Sequence, residues 1–452
     1  MKRIELSDHF TWTKLLRYSL PAIGNALAIT SFQLIDGGFV SNYLGVTPFA
    51  AVNLISPLFF MLYAVGFMFG SGTSALVSKF MGEGDNDRAR RVFSMSIAAM
   101  LAVGVVLGTI AAVLMPQLSR LVGADEDTLE YCVEYGRMLM LFLPLQIINA
   151  AFLTLWITAE KAWLGFAVSL LNGGCNALMD WIFMGPLDMG VHGAALATSL
   201  AAAVSAAIIL VYFSRTKTAS LRLVRFSMKG LRELGMICYN GSSEMVDSVA
   251  GNFTQMMING RLLFFFGKVG VAAMGVFTYV IEVFMTVFLG ISETMVTVVG
   301  YKYGERDRKG IQGILKNGIG LMLAAGLFAG MLCLVCAFPI SGLYLGYSDE
   351  AFQLSVHVLR VSSLACLLYG LVLCCSSFFT GLGDGFSSLL ISACMSVVGP
   401  IAMIYFLPSL FGPDAIWFAL PVSTTLAALL CILLLRTRYV QRMNQMETKN
   451  NR

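Results

Sequence analysis

Twelve predominantly apolar stretches, each long enough to cross a bilayer, follow one another at roughly 15–43, 48–80, 91–116, 129–158, 162–186, 190–214, 234–266, 270–301, 313–338, 350–381, 385–409 and 414–436. A hydrocarbon core about 30 Å thick takes about 20 helical residues to cross, and offers the backbone no water to bond with. The pattern therefore demands a bundle of membrane-spanning helices. The ten-residue alternation of barrel strands is absent. With 58% of residues hydrophobic and only 12% charged, the chain has too little polar surface for a water-soluble fold. The expected fold class is an all-α polytopic membrane protein with twelve transmembrane helices. Residues 1–14 are polar and mixed in charge, with no small-residue cleavage site, so no removable signal peptide is expected.

An even number of spans puts both termini on one side. Twenty-five of the 30 Lys and Arg fall in one alternating set of loops and tails, and the rest, Arg120, Arg137, Arg261, Lys268 and Arg360, in the other. That bias predicts a multi-pass protein of the plasma (inner) membrane with cytoplasmic termini. The net charge of +4 is then a topological signal, and no nucleic-acid partner is implied. The ten cysteines sit in or beside apolar segments, where the thiol acts as a small hydrophobe. Cys333 and Cys336 form a C-x-x-C with no second pair or His nearby, so packing is expected rather than metal or redox use.

Sliding the chain by about 222 residues reveals an internal repeat. Gly45-Val-Thr-Pro-Phe-Ala-Ala-Val52 falls on Gly267-Lys-Val-Gly-Val-Ala-Ala-Met274, and Met81-Gly-Glu-Gly-Asp85 on Tyr303-Gly-Glu-Arg-Asp307. Gly123-Ala-Asp-Glu-Asp127 meets Gly346-Tyr-Ser-Asp-Glu350. Six helices per repeat predict two six-helix lobes related by a pseudo-twofold along the membrane normal. The expected organisation is an N-terminal tail 1–14, an N-lobe 15–214, a linker 215–233, a C-lobe 234–436 and a tail 437–452. Within the linker, Leu221, Val224, Met228 and Leu231 recur at helical spacing beside Arg222, Arg225, Lys229 and Arg232. This reads either as a helix lying on the headgroups or as a solvated basic loop.

The chemistry rests on acids that lipid should reject. A carboxylate at the centre of a span costs about 2.5–3.5 kcal/mol even on a lenient scale, so such acids face the bundle interior and mark ion or substrate paths. Helix one carries Asp36. Helix five carries Asn172, Asn176 and Asp180 on one face, and helix six presents Thr198 about two turns from its start. The depths of Asp36, Asn176, Asp180 and Thr198 agree with one cluster. Their oxygens suit a hard cation such as Na+, and the carboxyl pair alone suits a proton. Alternatively, Asn176 and Asp180 only bridge helices. Pro21 removes a hydrogen bond from helix one and is a candidate hinge.

These stretches resemble the multidrug and toxic compound extrusion family of secondary transporters, in a bacterial branch. The matching residues are Pro21 followed fifteen residues later by Asp36, the Leu76-Val-Ser-Lys-Phe-Met-Gly-Glu-Gly-Asp85 loop, Asn176-x-x-x-Asp180 and Gly190-Val-x-Gly-Ala-Ala-x-Ala-Thr198. The likeness runs from about residue 14 to 440. It implies a coupling-cation site at Asp36, Asn176, Asp180 and Thr198, and a bend at Pro21 linked to protonation. It also implies efflux of organic, cationic amphipathic compounds in exchange for H+ or Na+ as the two lobes rock. Neither a cofactor beyond the coupling ion nor an obligatory second subunit is expected; the bilayer and small organic substrates are the partners, and the chain is read as a monomer and not as an enzyme.

The second lobe does not duplicate the cluster. Ile258 falls opposite Asp36, and a local offset of 225 puts Ile401 and Tyr405 opposite Asn176 and Asp180. It carries other acids: Glu244 and Asp247 on helix seven, Glu282 and Glu293 on helix eight. Glu244, Glu282 and Glu293 are candidates for a proton or substrate site. Glu244 lies in Gly241-Ser-Ser-Glu244, which resembles a motif of one bacterial branch, while Glu293 departs from the glutamine found there. Glu282, deeper in its helix, is expected to face the cavity, and Glu293 either contributes a charge or is solvated at the cytoplasmic end. Twenty-six methionines and 32 phenylalanines suit a pliable cavity.

Two other readings stand beside export. A lipid-linked oligosaccharide flippase of the same superfamily would need a strongly cationic cavity, whereas the membrane-depth charges here are mostly acids. Gly381-Leu-Gly-Asp384 matches the G-x-G-D string of intramembrane aspartyl proteases, but Asp384 falls in a short cytoplasmic turn and the chain contains no Tyr-Asp pair. It also contains no H-E-x-x-H and no P-loop.

Overall fold

The computed structural model describes residues 4–216, 220–225, 231–345 and 350–450. These residues are helical nearly throughout and include no strand, an all-α membrane fold. The helices are α1 (Trp12–Leu44), α2 (Val46–Gly82), α3 (Asn86–Val113), α4 (Met115–Leu121), α5 (Glu126–Leu141), α6 (Leu143–Thr158), α7 (Ala162–Met184) and α8 (Gly190–Arg215). After the linker come α9 (Leu231–Gly304), α10 (Arg308–Val335), α11 (Ala337–Leu345), α12 (Glu350–Gly381), α13 (Gly385–Ala393), α14 (Gly399–Phe411), α15 (Ala419–Leu434) and α16 (Val440–Asn450). A π-helical turn, Cys394–Val398, joins α13 to α14.

Nine helices among the described residues are long and apolar enough to cross a bilayer, or ten when α5 and α6 count as one bent span. α9 holds two spans either side of Gly267, where φ is 62° and ψ −154°. With α1, these account for the twelve stretches read from the sequence.

The repeat is visible in the backbone. Gly45 (φ 79°) ends α1 as Gly267 interrupts α9, and Gly84 (φ 81°) has its counterpart in Arg306 (φ 58°), so the same left-handed turns recur 222 residues apart. Each Gly-Glu-x-Asp turn ends on a capping aspartate that satisfies an orphan amide at the next helix start. Asp85 Oδ1 accepts from the Arg88 amide at 3.0 Å, and Asp307 Oδ1 from the Gly310 amide at 2.9 Å.

By internal packing the chain forms two compact units, Gly24–Gly241 and Met1–Ile23 with Ser242–Arg452. Both boundaries fall inside helices, the first two residues beyond Pro21 in α1 and the second in α9. In the Gly24–Gly241 unit, a Cβ added at Gly66 or Gly70 of α2 would come within 2.5–2.8 Å of Ala150, Ile147 or Ala151 of α6. Small residues four apart thus let two backbones touch, which is how helices associate where lipid removes the hydrophobic drive. Phe93, Phe152, Trp156 and Phe213 form its aromatic core, with ring centroids 5.1–6.1 Å apart. The other unit packs Ile258, Phe277, Phe352, Ile404 and Trp417 at its centre.

Three local features depart from a plain reading of hydropathy. The fourth stretch, 129–158, is two helices meeting at 63°. Pro144, in the first turn of α6, has no amide hydrogen to continue α5. At the repeat-related position α12 has Leu367 and runs unbroken. The described part of the linker, 220–225, is not helical. It is strapped to α3, where Arg90 Nε donates to the Ser220 carbonyl at 3.1 Å and the Val224 amide donates to Ser94 Oγ at 2.9 Å. The rest of the amphipathic pattern, at 219 and 226–230, and Gly346–Asp349 of the third repeat match lie outside the described residues. The N-terminal segment is tied down: Leu6 and Phe10 are buried, Lys302 Nζ donates to the Ser7 carbonyl at 2.9 Å, and Asn317 Nδ2 donates to the Phe10 carbonyl at 2.9 Å. All ten cysteines are free thiols, so Cys333 and Cys336 form no disulfide.

Candidate functional site

Asp36 and Asp180 meet because α1 and α7 approach closely. Gly173 of α7 makes room for Phe32 of α1: a Cβ there would fall 1.8 Å from the Phe32 ring, whereas one at Gly174 would meet nothing within 4 Å. Asp36 lies one helical turn beyond Phe32, and Asp180 two turns beyond Gly173. The close approach therefore sets the distance between the acids.

The two carboxyls lie within electrostatic range of each other. Asp180 is fully buried, and among the described residues no N–H or O–H donates to either of its oxygens or to Asp36 Oδ1. Two facing carboxylates without donors repel and are costly to bury. Such a pair is satisfied by one shared proton or by a small cation in its place.

Asn176 and Thr198 form a second pair one turn along α7. Asn176 Nδ2 donates to Thr198 Oγ1 at 3.4 Å, and Thr198 Oγ1 donates to the Ala194 carbonyl at 3.2 Å. α8 is held in register from α6, where Gln146 Nε2 donates to the Thr198 carbonyl at 3.5 Å and Asn149 Nδ2 to the Ala202 carbonyl at 2.9 Å. The four residues named from the sequence thus lie in one compact unit as two adjoining pairs. Sequence reasoning missed Tyr135, buried on α5 within electrostatic range of both Asp36 and Asp180. No spacing marks it; only the packing of α5 against this pair does.

The other unit gathers a different set. Glu244 and Asp247, from the first arm of α9, interact electrostatically with one another, and Glu244 also with Glu293 of the second arm. Glu293 is 7% exposed, buried rather than solvated. Asp247 is met by hydroxyls: Ser392 Oγ donates to one carboxylate oxygen at 3.0 Å and Ser396 Oγ to the other. Ser396 lies in the π-helical turn, whose displaced carbonyl accepts from Thr254 Oγ1 at 2.5 Å. The four-residue spacing of Ser392 and Ser396 was a usable sequence signal. Glu282 is exposed and stands outside this cluster. Ile258 is buried in the apolar core and Tyr405 carries no acid, so no second carboxyl pair stands at the repeat-related positions. Asp384 is buried at the turn before α13, where it accepts from Ser387 Oγ at 2.9 Å and pairs with Arg442 at 3.5 Å.

A family model described as MatE matches residues 21–182 and 244–406. The chain is 22% identical over 433 residues to the multidrug export protein MepA of Staphylococcus aureus strain MRSA252, with 94% of each chain covered. It is 25% identical over 444 residues to MepA of Staphylococcus saprophyticus subsp. saprophyticus, again covering 94% of each. Among solved structures it superposes on an outward-facing multidrug resistance MATE family transporter of the MOP superfamily with a TM-score of 0.88, 22% identity and 99% of each chain covered. That last likeness is one of fold.

Proposed function

The chain belongs to the MatE family, the multidrug and toxic compound extrusion transporters, and from that premise we propose that it is a secondary active antiporter that exports organic, cationic amphipathic compounds in exchange for H+ or Na+. The observation that carries the reading is the Asp36–Asp180 pair, three of whose oxygens are buried with no donor among the described residues. A coupling ion can shift a conformational equilibrium only through different affinity for the two states. A carboxyl pair whose repulsion is relieved by one cation supplies that difference. The Asn176–Thr198 pair lies on the same face of α7, where its oxygens extend the site for Na+.

In this mechanism the substrate loads from the cytoplasm. A coupling ion from outside then neutralises Asp36 and Asp180, changes how α1, α7 and α8 pack, and drives release outward as the lobes rock. Pro21 is the hinge: it breaks the bond ladder of α1 within two residues of the point where the helix passes from one compact unit to the other. Glu244 and Glu293, with exposed Glu282, supply the negative potential that a cationic passenger needs. Both termini lie in the cytoplasm, and one chain in the plasma membrane suffices.

The test is transport of a fluorescent organic cation by the purified protein in vesicles, under a pH gradient and a Na+ gradient imposed separately. Asp180→Asn is expected to reduce gradient-driven export to the level of protein-free vesicles while the protein remains folded and inserted. Unchanged export by D180N would remove the site from the mechanism, and the gradient that drives the wild type identifies the ion.

A further inference from the structure

Arg261 is the one charge within the first arm of α9 that the transport reading leaves unused and that the fold surrounds with rings. It lies six residues before the Gly267 break, near the end of its span. Its guanidinium carbon sits 4.7 Å from the centroid of Phe265, 4.6 Å from that of Tyr405 on α14 and 5.4 Å from that of Phe264. Aromatic faces stabilise the positive charge but accept none of the in-plane N–H bonds. Arg261 Nε is buried without an acceptor, and among the described residues no carboxylate lies within ion-pair distance. An arginine near the end of a span ordinarily pairs within the protein or reaches the headgroups. The partner this one lacks in the protein has to carry oxygens.

The position sharpens the point. Tyr405 occupies the place of Asp180 in the repeat, so a cation on aromatic rings stands where the Gly24–Gly241 unit holds paired acids. A planar guanidinium ringed by aromatics keeps N–H donors that match phosphate or carboxylate two-pronged. Phe264 is 74% exposed and Tyr405 44%, so the edge of the cluster is open and lined by apolar surface.

We propose that Arg261, with Phe265 and Tyr405, forms a binding site for the oxyanion head of an amphiphile. The shared chemistry is a phosphate or carboxylate on an apolar body, from a resident phospholipid or from a soluble passing anion. The inference does not depend on the antiport reading, since it involves neither Asp36 nor Asp180.

The experiment uses the full-length protein with two probes: phosphatidylglycerol against phosphatidylcholine, scored as lipid retained on the purified protein by native mass spectrometry, and dodecyl phosphate against dodecyl maltoside, scored by equilibrium binding. The wild type is expected to prefer the anionic member of at least one pair. Arg261→Gln is expected to weaken that binding at least tenfold, Arg261→Lys less, because it keeps the charge and loses the fork, and Tyr405→Leu in between. Loss of the lipid preference alone identifies a resident phospholipid, and loss of the alkyl phosphate binding alone a soluble ligand. Wild-type behaviour of R261Q with both probes overturns the proposal. Should R261Q fail to fold, wild-type binding of both probes by R261K and Y405L overturns it equally.

Discussion

The two compact units share a backbone plan and diverge in chemistry. Left-handed turns recur 222 residues apart and each Gly-Glu-x-Asp turn caps the next helix. Yet in the acid pair of the Gly24–Gly241 unit, Asp36 Oδ1 and both Asp180 oxygens are buried with no donor among the described residues, whereas Asp247 of the other unit is held by two serine hydroxyls. A carboxylate with hydroxyl donors has its charge satisfied by the protein and can persist as a fixed negative potential. A pair buried without donors gains most from taking up a proton or a cation. Duplication thus left a shared scaffold, and under the proposed function the paired acids of one unit change their charge while the hydroxyl-held Asp247 of the other supplies potential.

The largest effect expected from breaking this contrast comes from Gly173. A methyl group there collides with the Phe32 ring, so Gly173→Ala must displace Phe32 and is expected to disturb the α1–α7 spacing that holds the carboxyls. Overpacking of this kind costs about 1–3 kcal/mol, and gradient-driven export is expected to fall at least about tenfold, equivalent to about 1.4 kcal/mol. Gly174→Ala, with open space around its Cβ, is expected to transport like the wild type. Equal transport by the two variants would show that the α1–α7 distance does not make the site.

Much of this was legible because lipid imposes a simple rule. Apolar runs of 20 residues mark spans, and an acid within one marks a site, so the twelve stretches and the interest of Asp36 and Asp180 follow from the sequence. What hydropathy averages over was harder to see. Pro144 bends one span by 63° while its counterpart stays whole, and residues 220–225 lie along α3 because Ser94 and Arg90 capture their backbone, which no amphipathic count reveals. Tyr135 joins the carboxyl pair through packing alone. Glu282 and Glu293 share a helix face to within about 20° by their spacing, yet only Glu293 is buried, since burial depends on what the neighbouring helices cover.

A smaller effect is expected at Asp247. Asp247→Asn keeps an acceptor for one serine and removes the charge, so export should remain driven by the gradient while apparent affinity for the organic cation weakens about fivefold, on the order of 1 kcal/mol. Measuring the concentration dependence of export in vesicles separates the two quantities. Loss of gradient dependence in D247N would make the second unit a coupling site too, and the division of labour would fail.

The smallest effect belongs to Asp384, the acid whose Gly-x-Gly-Asp setting resembles a protease motif. Its neighbours give it a structural task. It accepts from Ser387 Oγ, pairs with Arg442, and Arg442 Nη1 also donates to the Leu382 carbonyl at 3.1 Å, so one guanidinium clasps the turn and the start of α16 together. The repeat places Lys161 at this position in the other unit, so the clasp, like the serine-held Asp247, is particular to one half. Asp384→Asn retains the serine contact and weakens the ion pair, which at a partly buried site costs about 1–2 kcal/mol. A modest fall in Tm with export within about twofold of the wild type, less than about 0.5 kcal/mol, is therefore expected. An inactive but equally stable D384N would give the carboxylate a chemical role, since a clasp can act on transport only through the stability of the turn it holds.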